Sequence, residues 1–455
     1  VMGSFVHLNC HSCYSMGAGA SSLNQLFSKA AHFGMPSLAI TDTNGLHGAI
    51  LAQKAGDVHG VKTVIGTVID HPSKVGWPSA RYAVLLAQNE KGYREICRLV
   101  TRRQFDPDNF SLPGMVAAVS EQVIVISSDP ETLKACRLFG SLQNRFAELT
   151  DHTERGNYKQ VITTFRLAKR LGFPTVATNN VHFADETGYA THKLLTAIRT
   201  NRTVGTLPPG ALASRHAWLK PADLMEYLFR EIPEATANTI EISQRCNFRF
   251  ELGVNRFPVY NSLPVISAKA MLGELARGGL THRYQFATTA ATARLEYELD
   301  IIDRLGFNEY FLIVRDIVNE AKRLQIPTVG RGSAANSLVC FCLGITEICP
   351  LKYNLYFERF LNPERRDKPD IDLDFPWNRR EEILRFIYNR YGEAQVAIIG
   401  AHVTYRGKGA IREVGKAFGM GEKELSYLAK RLPSYCELTK IDATVKEVPE
   451  FRGLP

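Results

Sequence analysis

The sequence predicts an α/β protein of more than one domain, and three observations carry that expectation. Through the first half, short β-rich runs alternate with helical patterns. Between about Glu231 and Leu263 the periodicity weakens, and Pro258 and Pro264 appear. Beyond lies a helix-rich stretch that leads to a glycine–serine loop and a strand of alternating aspartates. The 455 residues also exceed the size at which single cores stop growing, roughly 250–300, so two or three domains are expected.

Taken in order, the runs Ser37–Thr41, Lys62–Ile65, Tyr82–Leu86, Val123–Ser127 and Thr175–Ala177 read as strands. Helical spacing separates them, as at Leu23–Phe33 and Tyr158–Leu171, the latter stopped by Gly172. Such alternation argues for a parallel sheet or barrel. In those folds the loops after the strands converge on one face, where chemistry sits. Asp42 follows the first run, and Asn179 to His182 follow the last. The change of texture places a domain boundary near residue 255. Past it, Ala293–Leu305 and Phe311–Leu324 read as helices, and there is no internal repeat or low-complexity tract.

Composition narrows the class. Hydrophobic content of 45% and charged content of 22% suit a globular protein and exclude disorder and collagen. No apolar run reaches the roughly 18 residues of a membrane span. Val1 to His11 lack the basic start and apolar core of a signal peptide, so a cytoplasmic protein is expected. A formal charge of +9 biases the partner towards a polyanion. Nine scattered cysteines fit a reduced compartment. Cys10 and Cys13 form a CxxC without a second pair, which reads as coincidence, not a zinc site.

The chemistry concentrates after residue 326. A strand-like run leads into Gly330-Arg331-Gly332-Ser333-Ala334-Ala335-Asn336-Ser337. Glycines allow close backbone approach, and a helix starting near Ser333 would offer free N–H groups to a phosphate. The spacing matches neither a P-loop nor a full GxGxxG, and a glycine turn packing a helix on a sheet would look the same. Next comes Pro369-Asp370-Ile371-Asp372-Leu373-Asp374-Phe375. A strand puts its three aspartates on one face and the apolar residues on the other. Three crowded carboxylates repel unless something positive intervenes, and hard cations are their natural partners. A solvated acidic edge strand is the plainer alternative. Basic residues follow: Arg379, Arg380, Arg385 and Arg390 on an expected helix Arg379–Tyr391, then Arg406, Lys408, Arg412 and Lys416. Positions 408 and 412 share a face if helical. Singly these suit a solvated surface; after a glycine–serine loop and an Asp-x-Asp strand they suit triphosphate binding.

That order of parts is the layout of nucleotidyltransferase palms. The segments Arg294-Leu-Glu-Tyr-Glu-Leu, Gly306-Phe307, Tyr310-Phe-Leu-Ile-Val, Gly330-Arg-Gly-Ser-Ala-Ala, Leu343-Gly-Ile-Thr, Phe357 to Arg365 and Pro369 to Asp374 resemble the bacterial C-family polymerases, the DNA polymerase III α-subunit family. The tail, Arg379 to Ile383, Arg390-Tyr-Gly392, Thr404-Tyr-Arg and Val414-Gly-Lys416, is more similar to the error-prone paralogue than to the main replicase. The resemblance implies a PHP domain (a distorted β/α barrel) at 1–255, a Pol β-type α+β palm at 256–420 and the start of a helical thumb at 421–455. It implies template-directed DNA synthesis with two Mg2+ ions held by Asp372 and Asp374. Arg331, Gly332 and Ser333, with Lys408 and Arg412, would hold the nucleotide. Primer–template DNA and deoxynucleoside triphosphates are the implied partners. A sliding clamp and replisome or repair proteins would be met through regions outside this chain, in the cytoplasm at the nucleoid, with no membrane.

Departures from the family matter equally. Its third catalytic aspartate lies well downstream, so the 455-residue chain alone is expected to be inactive. Metal-competent PHP domains carry His-x-His-Thr, Thr-Asp-His and Thr-Asn-Asp-Val-His; here stand Asn9-Cys10-His11-Ser12, Thr41-Asp42-Thr43 and Thr178-Asn179-Asn180-Val181-His182. Ala18, Val68 and Tyr82 also occupy former ligand positions. His11, His152 and His182 survive, too few donors for a tightly bound PHP metal. A non-catalytic DNA- or replisome-binding fragment is the main alternative, and a PHP-type phosphoesterase a lesser one.

Overall fold

The computed structural model describes residues 5–72, 81–140, 143–154, 157–208, 210–254, 260, 267–284, 288–364 and 369–432. The expected boundary at 255 and most of the expected thumb, from 433 on, lie outside them. Two compact units are formed, Val1–Glu251 with Val403–Pro455, and Leu252–His402.

The first unit is built on six strands in spatial sequence: β1 (Ser37–Ile40), β2 (Lys62–Asp70), β3 (Tyr82–Ala87), β4 (Val123–Ser127), β5 (Arg145–Thr150) and β6 (Thr175–Thr178). Here the sheet corrects the parallel expectation. β1–β2 and β4–β5–β6 are parallel, but β2–β3 and β3–β4 are antiparallel, with Gly66 opposite Leu86 and Val84 opposite Ile126. Only residues 71–81 separate β2 from β3, short of the dozen or more that a crossover to a parallel neighbour takes.

The N-terminal run joins the two edges of the sheet. The N–H of Ala39, on β1, donates to His7 O at 3.0 Å, and that of Val181, just past β6, donates to Asn9 O at 2.9 Å. The result is a curled six-strand sheet, a half-barrel whose two edges this run bridges. Its lining includes Val64, Val84, Leu86, Ile124, Ile126 and Val176, all buried. The helix Leu23–His32 begins with a capping box, Ser22 with Gln25, and turns Leu26 and Phe27 fully inward. Each such side chain contributes roughly 1.5–3 kcal/mol. The helix Asn157–Leu171 ends where Gly172 takes φ +78°, a left-handed stop. The stretch of weak periodicity holds a regular helix, Pro233–Arg245, whose buried face includes Ala235, Thr236, Thr239 and Ser243. Small and polar residues on a buried face hide the apolar period.

In the second unit, helices Ala268–Arg283, Thr289–Arg304 and Asn308–Arg323 surround the short helix Leu338–Cys342. Strands β7 (Val329–Arg331) and β8 (Asp372–Asp374) pair antiparallel. Two strands alone are marginal in water, and these are held because Ile371 and Leu373 pack on the helical core. A helix from Ser333 does not form: Gly332–Asn336 is a 3-10 turn, and the helix starts at Leu338. The Ser337 hydroxyl accepts the Cys340 N–H at 3.1 Å, which caps the helix there instead. Among the described residues, no helix is long and apolar enough to cross a membrane.

Candidate active site

Antiparallel pairing of β7 with β8 sets Arg331 directly opposite Asp372 and Val329 opposite Asp374. A Cβ on Gly330 would fall 2.2 Å from Ile345 O, so only glycine lets β7 pack this closely. Gly332 takes φ +72° and turns the chain beside the acidic face. The Tyr310 hydroxyl accepts the Ile371 N–H at 3.0 Å and fixes the approach to β8. Arg331 Nε lies 3.0 and 2.9 Å from the Asp374 carboxylate oxygens, and its Nη1 lies 3.5 Å from Asp372 Oδ2. The hydrogen bond to Asp374 holds the Arg331 pKa above its usual value. Asp370 is exposed and precedes the strand. Ser333 sits half-buried on the 3-10 turn, its carbonyl accepting Asn336 Nδ2 at 2.8 Å.

One anchor of this loop escaped the sequence reading. Glu298 is fully buried, bonds Arg294 Nε at 2.7 Å, and accepts the Ser337 hydroxyl at 2.9 Å and the Val339 N–H at 3.1 Å. Burial pushes its pKa up, against those donors. Lys408 and Arg412 lie on the helix Gly407–Ala417, which belongs to the first unit. Arg412 and Lys416 border a cleft of about 200 Å³ with Glu422.

In the first unit, His11 and His182 stack with ring centroids 4.3 Å apart. Both line a cleft of about 190 Å³ together with Ala18, Val68 and Tyr82, so positions identified separately in the sequence meet in one place. His152 is not among the cleft residues; its Nε2 bonds Asn179 O at 2.9 Å. His192, on the helix Gly188–Arg199, was missed. It faces Ala18 O at 2.6 Å and lies 5.3 Å from the His182 ring. A lone histidine in a helical run gives no sequence signal. Asp42 receives the Ser12 N–H at 2.7 Å and the hydroxyls of Ser12 and Ser15 at 2.8 and 2.7 Å. Asn9 Nδ2 donates to Glu148 at 2.9 Å. These polar groups bind one another. Among the described residues, no cluster of three or more histidine, cysteine or acidic side chains is arranged to hold a metal.

Burial depresses the His11 pKa to about 4, opposed by its bond to Asn180, and drives that of His182 well below the usual value. A histidine kept neutral in the fold stabilises it fully above pH 6.5. That stability is lost as pH falls towards 4, because the unfolded chain takes up a proton that the fold refuses. For His11 the loss is about 3 kcal/mol. Urea titrations of this chain at pH 7.5 and pH 4.5 are expected to show it, and His11→Gln to show a smaller acid loss.

Two family descriptions match the chain: a PHP domain over residues 7–170, and a bacterial DNA polymerase III alpha NTPase domain over residues 270–455. An error-prone DNA polymerase of Symbiobacterium thermophilum is 34% identical over 99% of this chain and 44% of its own length. The DNA polymerase III subunit alpha of Bacillus subtilis is 34% identical over 98% of this chain and 41% of its own. Nearly the whole chain is thus similar to bacterial DNA polymerases of these two kinds, with a PHP domain followed by a polymerase III alpha domain. It spans less than half the length of these relatives, and identity does not separate their two kinds. A putative metal-dependent phosphoesterase from Bifidobacterium adolescentis matches 39% of the chain at 16% identity with a TM-score of 0.28, too slight a likeness to build on.

The PHP match takes in β1 to β5 of the curled sheet, and the polymerase match takes in β7 and β8 with the helices around them. The donor chemistry at β8 suits a small hard cation. Asp372 and Asp374 leave 45% and 57% of their side chains exposed, so water and phosphate oxygens could complete the shell, as is usual for Mg2+.

Proposed function

We propose that the full-length protein is a DNA-directed DNA polymerase that adds deoxynucleotides to a primer on a DNA template. The observation that carries this reading is the Asp372–Asp374 pair facing Arg331 across two strands, inside the segment matched to the polymerase domain. Asp372 and Asp374 would hold divalent cations, Mg2+ by their size and oxygen preference. Such ions, when bound, lower the pKa of the primer hydroxyl and neutralise the leaving pyrophosphate. Arg331 and Ser333 would bind the triphosphate, together with the backbone N–H of Gly332, which a Cβ would crowd against Asp372 at 3.2 Å. Lys408 and Arg412, on a helix of the first unit, are proposed as further nucleotide-binding residues on the family resemblance alone.

We propose domain limits of 1–255, 256–420 and 421–455, with the thumb beginning in the last. On its tail residues the protein is assigned to the error-prone kind. A sliding clamp and accessory proteins would bind elsewhere on the full-length protein, at the nucleoid. The PHP half is taken as a structural scaffold, since its former ligand positions carry Asn9, Ala18, Val68 and Tyr82. Metal analysis of the purified chain after dialysis is expected to find less than stoichiometric zinc and manganese; two or three retained ions that survive Asp372→Asn with Asp374→Asn would defeat the scaffold reading. The polymerase reading is tested by primer extension with the full-length protein. Template-matched incorporation that requires a divalent cation is the expected result, and DNA binding without extension would favour a non-catalytic binding role.

A further inference from the structure

We infer that Arg331 is a built-in competitor for the cation at Asp372 and Asp374, holding both carboxylates while no metal is bound and freed towards the triphosphate when one enters. The inference rests on the metal-binding reading of this pair. Residues directly opposite on antiparallel strands have neighbouring Cβ atoms, so Arg331 and Asp372 are brought together by register alone. Asp374, two residues on, projects to the same face. One arginine side chain therefore reaches both, through Nε to Asp374 and Nη1 to Asp372. The guanidinium engages oxygen atoms that a cation would need as ligands. Arginine in that place relieves the repulsion of two adjacent carboxylates and keeps them converged before metal arrives.

The contact is suited to exchange. The Arg331 side chain is 59% exposed, and an ion pair so open to water is weak and screened by salt. A divalent ion brings twice the charge to the same oxygens. The displaced guanidinium stays tethered to β7, next to the Gly332 turn. Metal and triphosphate would then bind cooperatively, since each takes one of the two partners that the free site pairs together, and such coupling is reciprocal.

The test is Mn2+ binding to this 455-residue chain, followed by electron paramagnetic resonance, in the wild type, Arg331→Gln, Arg331→Lys and the double variant Asp372→Asn with Asp374→Asn. Arg331→Gln is expected to tighten the Asp-dependent Mn2+ binding by roughly twofold to tenfold. Structural damage would not produce tighter binding. Arg331→Lys keeps the charge without the planar fork and should fall between wild type and Gln. Unchanged or weaker binding in Arg331→Gln overturns the inference. So does Arg331→Lys binding identical to wild type, which would make charge alone responsible. If the double Asn variant binds Mn2+ as the wild type does, the metal reading itself fails, a result distinct from either.

Discussion

Alanine at Asp374 in the full-length protein should lower primer extension by on the order of a thousandfold or more, with folding unaffected. Asp372→Ala should do nearly as much. Both carboxylates sit on a strand of three residues, and their side chains are 57% and 45% exposed, so neither contributes a buried contact whose loss would unfold the protein. On the proposed reading, what is lost is the negative charge that would keep cations at the reacting phosphate, where no neighbouring group in β7 or β8 can substitute; Arg331, the nearest, has the wrong sign. Asp370→Ala serves as the control. It lies outside β8 and makes no contact with Arg331 among those described, so its effect should stay within a few fold. Single-turnover incorporation with saturating DNA, beside circular dichroism melts of each variant, measures both sides. An Asp374→Ala protein that extends primers at near wild-type rate would remove β8 from the catalytic machinery.

How much of this was legible in the sequence depended on which residues the fold buries. Strands β1, β2, β3, β4 and β6 are apolar or β-branched, and their cores were readable to within a few residues. β5 was not, because Arg145 and Glu148 are almost wholly buried and break its pattern. Arg145 bonds the carbonyls of Val123 and Val119 at 3.2 and 2.6 Å, and Glu148 takes donors from Asn9 and Thr178. A charged residue whose partners lie far along the chain gives no local sign that it is inside. The same cause hid Glu298, read only as part of a motif. By contrast, the acidic face of β8 was legible because period-two alternation is a local property. That Arg331 would face it was not, since register belongs to the pairing of two strands 43 positions apart. The former PHP ligand positions were named one by one; that His11, His182, Ala18, Val68 and Tyr82 line one cleft required the curled sheet.

Glu298→Ala should destabilise the second unit by about 3–5 kcal/mol, because it strands the Arg294 guanidinium and two further donors without a partner. Arg294 is mostly buried, with 22% of its side chain exposed, and beyond Glu298 its hydrogen bonds go to carbonyls, Leu355 O at 3.2 Å being the nearer, while its guanidinium lies 6.0 Å from the Phe357 ring centre. The Ser337 hydroxyl and the Val339 N–H would lose their acceptor just where the helix Leu338–Cys342 begins. Melting of that unit should fall by roughly 10 °C, and the amides of 337–342 should exchange faster than those of the first unit. Glu298→Gln keeps an acceptor for Ser337 and Val339 but not the charge facing Arg294, so its cost should be smaller, about 1–3 kcal/mol. Since the 3-10 turn Gly332–Asn336 runs straight into Ser337, loss of this anchor should also loosen the turn that carries Gly332 and Ser333 and directly follows Arg331. Arg294→Met with Glu298→Leu separates the two contributions: it leaves no charge buried alone, so it should regain much of the stability while the turn stays loose, with nucleotide binding still impaired. Equal melting of Glu298→Ala and wild type would mean that the ion pair is replaceable by packing alone, and that the loop is held by Ser337 capping without help from the helix Thr289–Arg304.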